Sequence, residues 1–135
     1  MTKEALCELA IAAREQAYAP YSGYTVGAAL LAADGHVYTG CNIENAAFTP
    51  TVCAERTAIF KAVSEGERKF TMMAVAGGKA GQPGEAFPPC GVCRQVLAEF
   101  CPPDFPILLA ETGGRYTTYT LAEILPLAFT PKHVD

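Results

Sequence analysis

Apolar residues recur at helical spacing near the start of the chain. Leu6, Leu9, Ala10, Ala13 and Ala17 predict an amphipathic helix, with Thr2 placed to cap it and Pro20 to stop it. After the loop "APYSGY", the run "TVGAALLAADGHVYTGCN" predicts a hairpin: an apolar strand, an Asp34-Gly35 turn and a second strand ending near Cys41. The loop "IENAAFTPT" leads into a helix from about Cys53 to Ser64, with Gly66 as its stop. "FTMMAVAGG" is apolar throughout, the pattern of a strand buried on both faces. The Gly/Pro-rich stretch "GGKAGQPGEAFPP" reads as a flexible surface loop. A helix from about Cys90 to Phe100 follows, closed by Pro102-Pro103. The strand "FPILLA", a "TGG" turn, the strand "RYTTYT" and a short helix from Leu121 to Leu125 complete the chain.

The order α-β-β-α-β-α-β-β-α defines an α/β fold. Strand–helix alternation in the middle implies parallel strands joined by right-handed crossovers, and the short turns at either end impose antiparallel pairs. One domain over residues 1–135 is expected, with a mixed five-stranded sheet between helices in a three-layer α/β/α arrangement. This topology has a chemical consequence. The helices at Cys53 and Cys90 each follow a strand of the parallel set, so both begin beyond the strands' carboxyl ends, at one edge of the sheet.

Composition narrows the choice of partner. The 135 residues are 50% hydrophobic and 18% charged, a globular balance, and the formal net charge is −4. No Lys/Arg cluster is present, which argues against a polynucleotide partner and for a small ligand. The charged, amphipathic start is unlike a secretory signal, and no apolar run reaches membrane-spanning length. A soluble, cytoplasmic protein is expected. In that compartment its six cysteines serve as core residues, metal ligands or reactive thiols rather than disulfides.

"PCGVC" sets Cys90 and Cys93 at i and i+3 on one face of a helix start, close enough to share a metal. Cys53, at a second helix start on the same edge, brings the sulfurs to three. Three protein ligands with an open position is the arrangement of a catalytic zinc. Three thiolates around Zn²⁺ leave an excess negative charge. The helix N-termini oppose it, as does Arg56, placed to hydrogen-bond a thiolate. Glu55 can then act as a proton carrier at the metal's water. Taken alone, a glutamate in a first helical turn is equally what the helix dipole favours, and C-x-x-C also serves dithiol redox chemistry. Cys7, Cys41 and Cys101 read as small buried hydrophobes, and His36 and His133 as solvated. "GGKAG" lacks the Ser/Thr and the following helix of a phosphate-binding loop.

The set "NIENA", "VCAERTA" and "PCGVCRQ", with "APYS", "VGAALL", "GCNIENA" and the late "ILPLAF", closely resembles the cytidine deaminases of the small homotetrameric, three-cysteine zinc type. The resemblance covers nearly the whole chain. It implies a cytidine deaminase-like fold with one Zn²⁺ per chain on Cys53, Cys90 and Cys93. The implied reaction is hydrolytic deamination of cytidine and 2′-deoxycytidine at C4, releasing ammonia for pyrimidine salvage, with Glu55 shuttling protons. It further implies that Asn42 and Glu44 hold the ribose 3′-hydroxyl and that Ala54 offers a backbone N–H. Tyr24, where the family usually has Phe, would lie beside the pyrimidine. Phe129 would enter a neighbouring subunit's site, and Phe48, where Tyr is common, would line a subunit contact. The Gly/Pro loop is longer than is usual in the family. Three alternatives share parts of this set: a deaminase of another cytosine nucleoside such as a nucleoside antibiotic, a non-catalytic zinc module recruiting Cys41 as fourth sulfur, and a dithiol redox protein.

Overall fold

A computed structural model describes residues 1–134. It contains α1 (Lys3–Ala13), β1 (Tyr24–Ala32), β2 (Val37–Cys41), α2 (Ala54–Ser64), β3 (Phe70–Lys79), α3 (Gly91–Phe100), β4 (Pro106–Glu111), β5 (Arg115–Thr120) and α4 (Leu121–Ile124). The five strands form one sheet in the order β2-β1-β3-β4-β5. β1 pairs antiparallel with both β2 and β3, and β4 with β5, while β3 and β4 are parallel. The expected mixed sheet is present. β2, β3 and β4 all run in one direction, so their carboxyl ends share an edge with the start of β1.

Side chains alternate across a pleated strand, and here the alternation divides the core in two. Ala29, Leu31, Met72, Ala74, Ala76 and Leu108 face α1 and pack on its Leu6, Cys7 and Ala10. Ala28, Leu30, Met73, Val75 and Ile107 face the opposite way, onto Ala54, Ala58 and Ile59 of α2 and Leu97 of α3. β3 is apolar and buried from Met72 to Gly78 because it supplies both cores. Each fully buried Leu, Ile or Met contributes about 1.5–3 kcal/mol by leaving water. Two glycines bring the helices unusually close. A Cβ on Gly27 would lie 2.1 Å from the Ala10 carbonyl oxygen of α1, and one on Gly40 would lie 2.5 Å from the Ala54 carbonyl oxygen of α2.

The structure departs from the sequence reading in three places. α1 ends at Ala13 and tightens into a 3₁₀ turn over Arg14–Gln16, well before Pro20. The cause lies downstream. The Tyr18 N–H donates to the Asn42 carbonyl and the Tyr18 carbonyl accepts from Glu44 N–H, drawing the chain out of helix and against the loop after β2. Leu9 is also partly exposed, at 36%, while Arg14 falls on the buried stripe with Leu6, Cys7 and Ala10. Finally, β3 includes Gly77 and Gly78, as its apolar run predicts, and extends to Lys79, with Val26–Tyr24 as partners, but the stretch that follows is tied down. Gly84 N–H donates to Thr112 Oγ1 at 2.7 Å, Thr112 N–H returns a bond to the Gly84 carbonyl, and Glu85 N–H bonds the Gly77 carbonyl. The composition of a flexible loop here folds into an ordered one.

His36 is exposed, as expected, but engaged: Asp34 Oδ1 accepts its backbone N–H, and Asp34 Oδ2 lies 2.9 Å from its Nδ1 across the hairpin turn. His133 likewise bonds Thr130 and stacks on Phe129.

Candidate active site

The topology brings the two helix starts together at the shared strand edge. Cys53 is the N-cap of α2 and Cys90 the N-cap of α3, with Cys93 in the first turn of α3. Cys53 Sγ and Cys93 Sγ each lie 3.5 Å from Cys90 Sγ. A zinc–sulfur bond of about 2.3 Å in tetrahedral geometry sets sulfurs about 3.8 Å apart, so these two edges need to open by only a few tenths of an ångström to hold the ion, and all three sulfurs lie within 4.8 Å of one another. Cys41 is not part of the cluster, which leaves three sulfurs and no fourth among the described residues. That count speaks against the closed, structural zinc module. Cys7 and Cys101 are buried in the cores and Cys41 is half-buried.

The electrostatics of the triangle fit a cation. Hydrogen bonding from Cys93 brings the Cys53 thiol down to about 5; burial opposes this and Arg56 assists it. Cys93 moves the other way, raised by its bond to Cys53, by burial and by the nearby charges of Glu55 and Cys53. The Cys53–Cys93 pair thus gives up one proton readily and resists giving up the second. A positive ion would favour the deprotonated pair, so metal binding here would release protons. Two helix-start features already support negative sulfur: Cys93 N–H points at Cys90 Sγ at 3.5 Å, and Arg56 Nη2 donates to Cys53 Sγ at 3.5 Å.

Glu55, in the first turn of α2, is only 3% exposed, and its Oε1 has no hydrogen-bond partner. Burial pushes its carboxyl up to about 7 against the opposing effect of its own backbone N–H. Buried polar atoms in folded proteins are nearly always paired, so an unpaired carboxyl oxygen beside a three-sulfur cluster marks a place for a ligand. Arg56 Nε is similarly buried and unpaired. Ala54, fully buried, occupies the first helical position, whose N–H has no partner within the helix.

The remaining residues singled out from sequence divide. Tyr24, Asn42 and Glu44 gather at the same edge. The Asn42 amide accepts from Val26 N–H and donates to the Tyr24 carbonyl, both at 2.9 Å, leaving one N–H and one lone pair. Glu44 accepts from the N–H groups of Tyr21 and Ser22 and from the Ser22 hydroxyl, which holds its carboxyl below the usual range. Tyr24 stacks on Phe87, with ring centroids 6.0 Å apart. Phe48 and Phe129 stand outward, 68% and 61% exposed, against Tyr21 and His133 respectively. Phe87 and Ser22 escaped the sequence reading. Ser22 lies inside "APYS" and could have been found from that stretch, whereas a lone Phe in a Gly/Pro loop gives no signal.

Known proteins place this geometry. A sheet edge carrying a C-x-E helix start against a P-C-x-x-C helix start defines the zinc-dependent deaminases of bases and nucleosides. The family of the cytidine and deoxycytidylate deaminase zinc-binding region matches residues 1–109. The chain is 48% identical over 135 residues to a cytidine deaminase of Halalkalibacterium halodurans, covering 100% of this chain and 99% of that protein. It is 52% identical over 123 residues to one of Sporosarcina psychrophila, covering 91% and 88%. The crystal structure of cytidine deaminase from Burkholderia pseudomallei superposes with a TM-score of 0.87 at 45% identity, covering 96% of this chain and 100% of that one. The chain belongs to the cytidine deaminase family, and its cysteine triad is placed to hold the zinc of that family's domain.

Proposed function

We propose that the whole chain acts as one deaminase domain that converts cytidine and 2′-deoxycytidine, with water, to uridine and 2′-deoxyuridine plus ammonia. The observation that carries this reading is Glu55: a buried carboxyl with an unpaired oxygen, two residues from Cys53 in an open three-sulfur cluster. Cys53, Cys90 and Cys93 hold one zinc per chain. When bound, zinc would supply a Lewis acid that makes water easier to deprotonate.

Glu55 does the proton work. A buried carboxyl raised toward neutrality can both accept and return a proton, so it takes one proton from water and delivers it to N3 of the cytosine ring, then takes the second proton of that oxygen once it is bonded to C4 and gives it to the 4-amino group, whose C–N bond breaks to release ammonia. Three thiolates on a dication carry a net −1, and the Arg56 guanidinium at Cys53 offsets it. The Ala54 N–H is directed to the base. Asn42 uses its spare N–H and lone pair on the ribose 3′-hydroxyl, where Glu44 accepts a hydrogen bond alongside Ser22. Tyr24 lies against the pyrimidine.

The same reading assigns the outward aromatics to a homotetramer with sites at subunit interfaces, Phe129 entering a neighbour's site and Phe48 lining a contact. Phe48 and the fully exposed Leu127 support it. Both hold left-handed backbone, at φ 64° and 54°, a conformation that disfavours such side chains by about 1 kcal/mol or more while displaying them to solvent. Sedimentation equilibrium is expected to give a tetramer's mass; a monomer at micromolar protein removes the shared-site part of the proposal. A cytoplasmic role in pyrimidine salvage completes it.

Incubation of the zinc-replete protein with cytidine should reduce the cytidine absorbance with equimolar release of ammonia. Inert cytidine alongside a converted nucleoside antibiotic would transfer the activity to that substrate. No turnover of either would end the deaminase reading. No helix among the described residues is long and apolar enough to cross a membrane.

A further inference from the structure

The Gly/Pro stretch after β3 is absorbed by nothing above, yet it is anchored from both faces of the sheet. At the end of β3, Gly77 continues the face of Met73 and Val75, shared with α2 and α3, while Gly78 continues the face of Ala74 and Ala76, toward α1. Phe87 folds back onto Gly77 so closely that a Cβ there would lie 2.5 Å from the Phe87 ring. From that seat its ring stacks on Tyr24 at an interplanar angle of 26°. Val26, paired with Gly77, is bound to Asn42, and Asn42 to the Tyr24 carbonyl. Phe87 is therefore continuous with the Tyr24–Asn42 cluster, and only Pro88 and Pro89 separate it from Cys90.

On the opposite face lies Arg14, 7% exposed, with no carboxylate in ion-pair contact among the described residues. Its fork donates instead to main-chain carbonyls: Nε to Thr25 at 3.0 Å, one terminal nitrogen to Gln82 and the other to Lys79, each at 3.1 Å. A buried guanidinium without a counter-ion is a poor source of stability. A planar fork bonding three carbonyls is, however, an effective way to fix a bend in the chain, and a lysine cannot reproduce it. Arg14 also covers Gly78 and Gly84, with terminal nitrogens 3.1 and 3.2 Å from where their Cβ atoms would stand.

We propose that the 80–89 loop is a fixed wall of the nucleoside pocket, in which Phe87 sets the substituents the pyrimidine ring can carry and Arg14, acting through the loop from the far face, is its positioning residue. The proposal rests on the deaminase reading above. It explains the Gly77-Gly78 pair: each glycine leaves space on one face, for the aromatic wall on one side and its anchor on the other.

The test uses the full-length, zinc-loaded protein with cytidine and 5-methylcytidine. Phe87→Ala should raise KM for cytidine about tenfold with kcat within about threefold, and raise the preference for 5-methylcytidine over cytidine about fivefold or more, at one zinc per chain. Arg14→Lys should move KM and preference in the same direction, and the Phe87→Ala/Arg14→Lys double variant should add little to Phe87→Ala alone. If Arg14→Lys fails to fold, Thr112→Val, which removes the Thr112 Oγ1 acceptor for the Gly84 N–H, takes its place with the same expectation. Wild-type turnover with an unchanged preference in Phe87→Ala overturns the wall and leaves the deaminase reading intact. Additive effects, or equal loss of kcat on both substrates with loss of zinc, overturn the role of Arg14. Wild-type protein inert on both nucleosides overturns the deaminase reading and the wall with it.

Discussion

Glu55→Gln is expected to lower cytidine turnover roughly 10⁴-fold while zinc stays at one per chain. General acid–base catalysis contributes about 10²–10⁴, and the upper end applies because one carboxyl is assigned both the proton taken from water and the proton given to the leaving amine. The amide keeps the shape and removes only the ability to move a proton. Oε1 has no hydrogen-bond partner, so substitution there breaks no bond, and the variant should fold as well as the parent. Stopped-time assays with elemental analysis of the same samples give both quantities; a variant within tenfold of the parent would show that Glu55 is not the proton carrier. The metal-free protein offers a second readout. Burial raises Glu55 from an ordinary 4.5 to about 7, so the native state keeps a proton that the unfolded chain has released. Stability from this group is present in full below about pH 4.5 and fades as pH rises through 7. Glu55→Gln should flatten that slope.

Cys93→Ala should be equally decisive, for a different reason. Zinc content is expected to fall below about a tenth of an ion per chain with matching loss of turnover, since two thiolates at helix starts do not replace three on a d¹⁰ ion. Cys41→Ala, outside the cluster, should retain zinc and activity. Elemental analysis of the two variants side by side separates an open three-sulfur site from a closed four-sulfur one. Stoichiometric zinc in Cys93→Ala, or its loss from Cys41→Ala, would redraw the ligand set.

Much of the fold was legible because it rests on periodicity. The continuous apolar runs of β1 and β3 and the Asp34-Gly35 and Gly113-Gly114 turns mark strands and their pairing without reference to distant residues. The metal cluster was legible because its spacing is local, with Cys90 and Cys93 one turn apart and Glu55 two residues from Cys53. What escaped depends on partners far along the chain. The end of α1 is set by hydrogen bonds to residues 42 and 44, and the order of the 80–89 loop by Arg14 and Thr112. Asn42 looked like a group free for ligand, yet half its bonding capacity is spent on β1. Arg14 had one trace in the sequence, a charge standing where the α1 stripe calls for an apolar residue.

The contact between Gly40 and α2 bears on the order in which the centre is assembled. At Gly40 the main chain of α2 comes close to that of β2, Thr57 Oγ1 adds a bond to the Cys41 carbonyl, and Cys53 is the residue immediately before the first turn of α2. The place of that sulfur is thus settled by the same contact that seats the helix on the sheet. Loading of the centre is then expected to occur on a finished frame, and chelated protein should keep its helical signal and a cooperative unfolding transition.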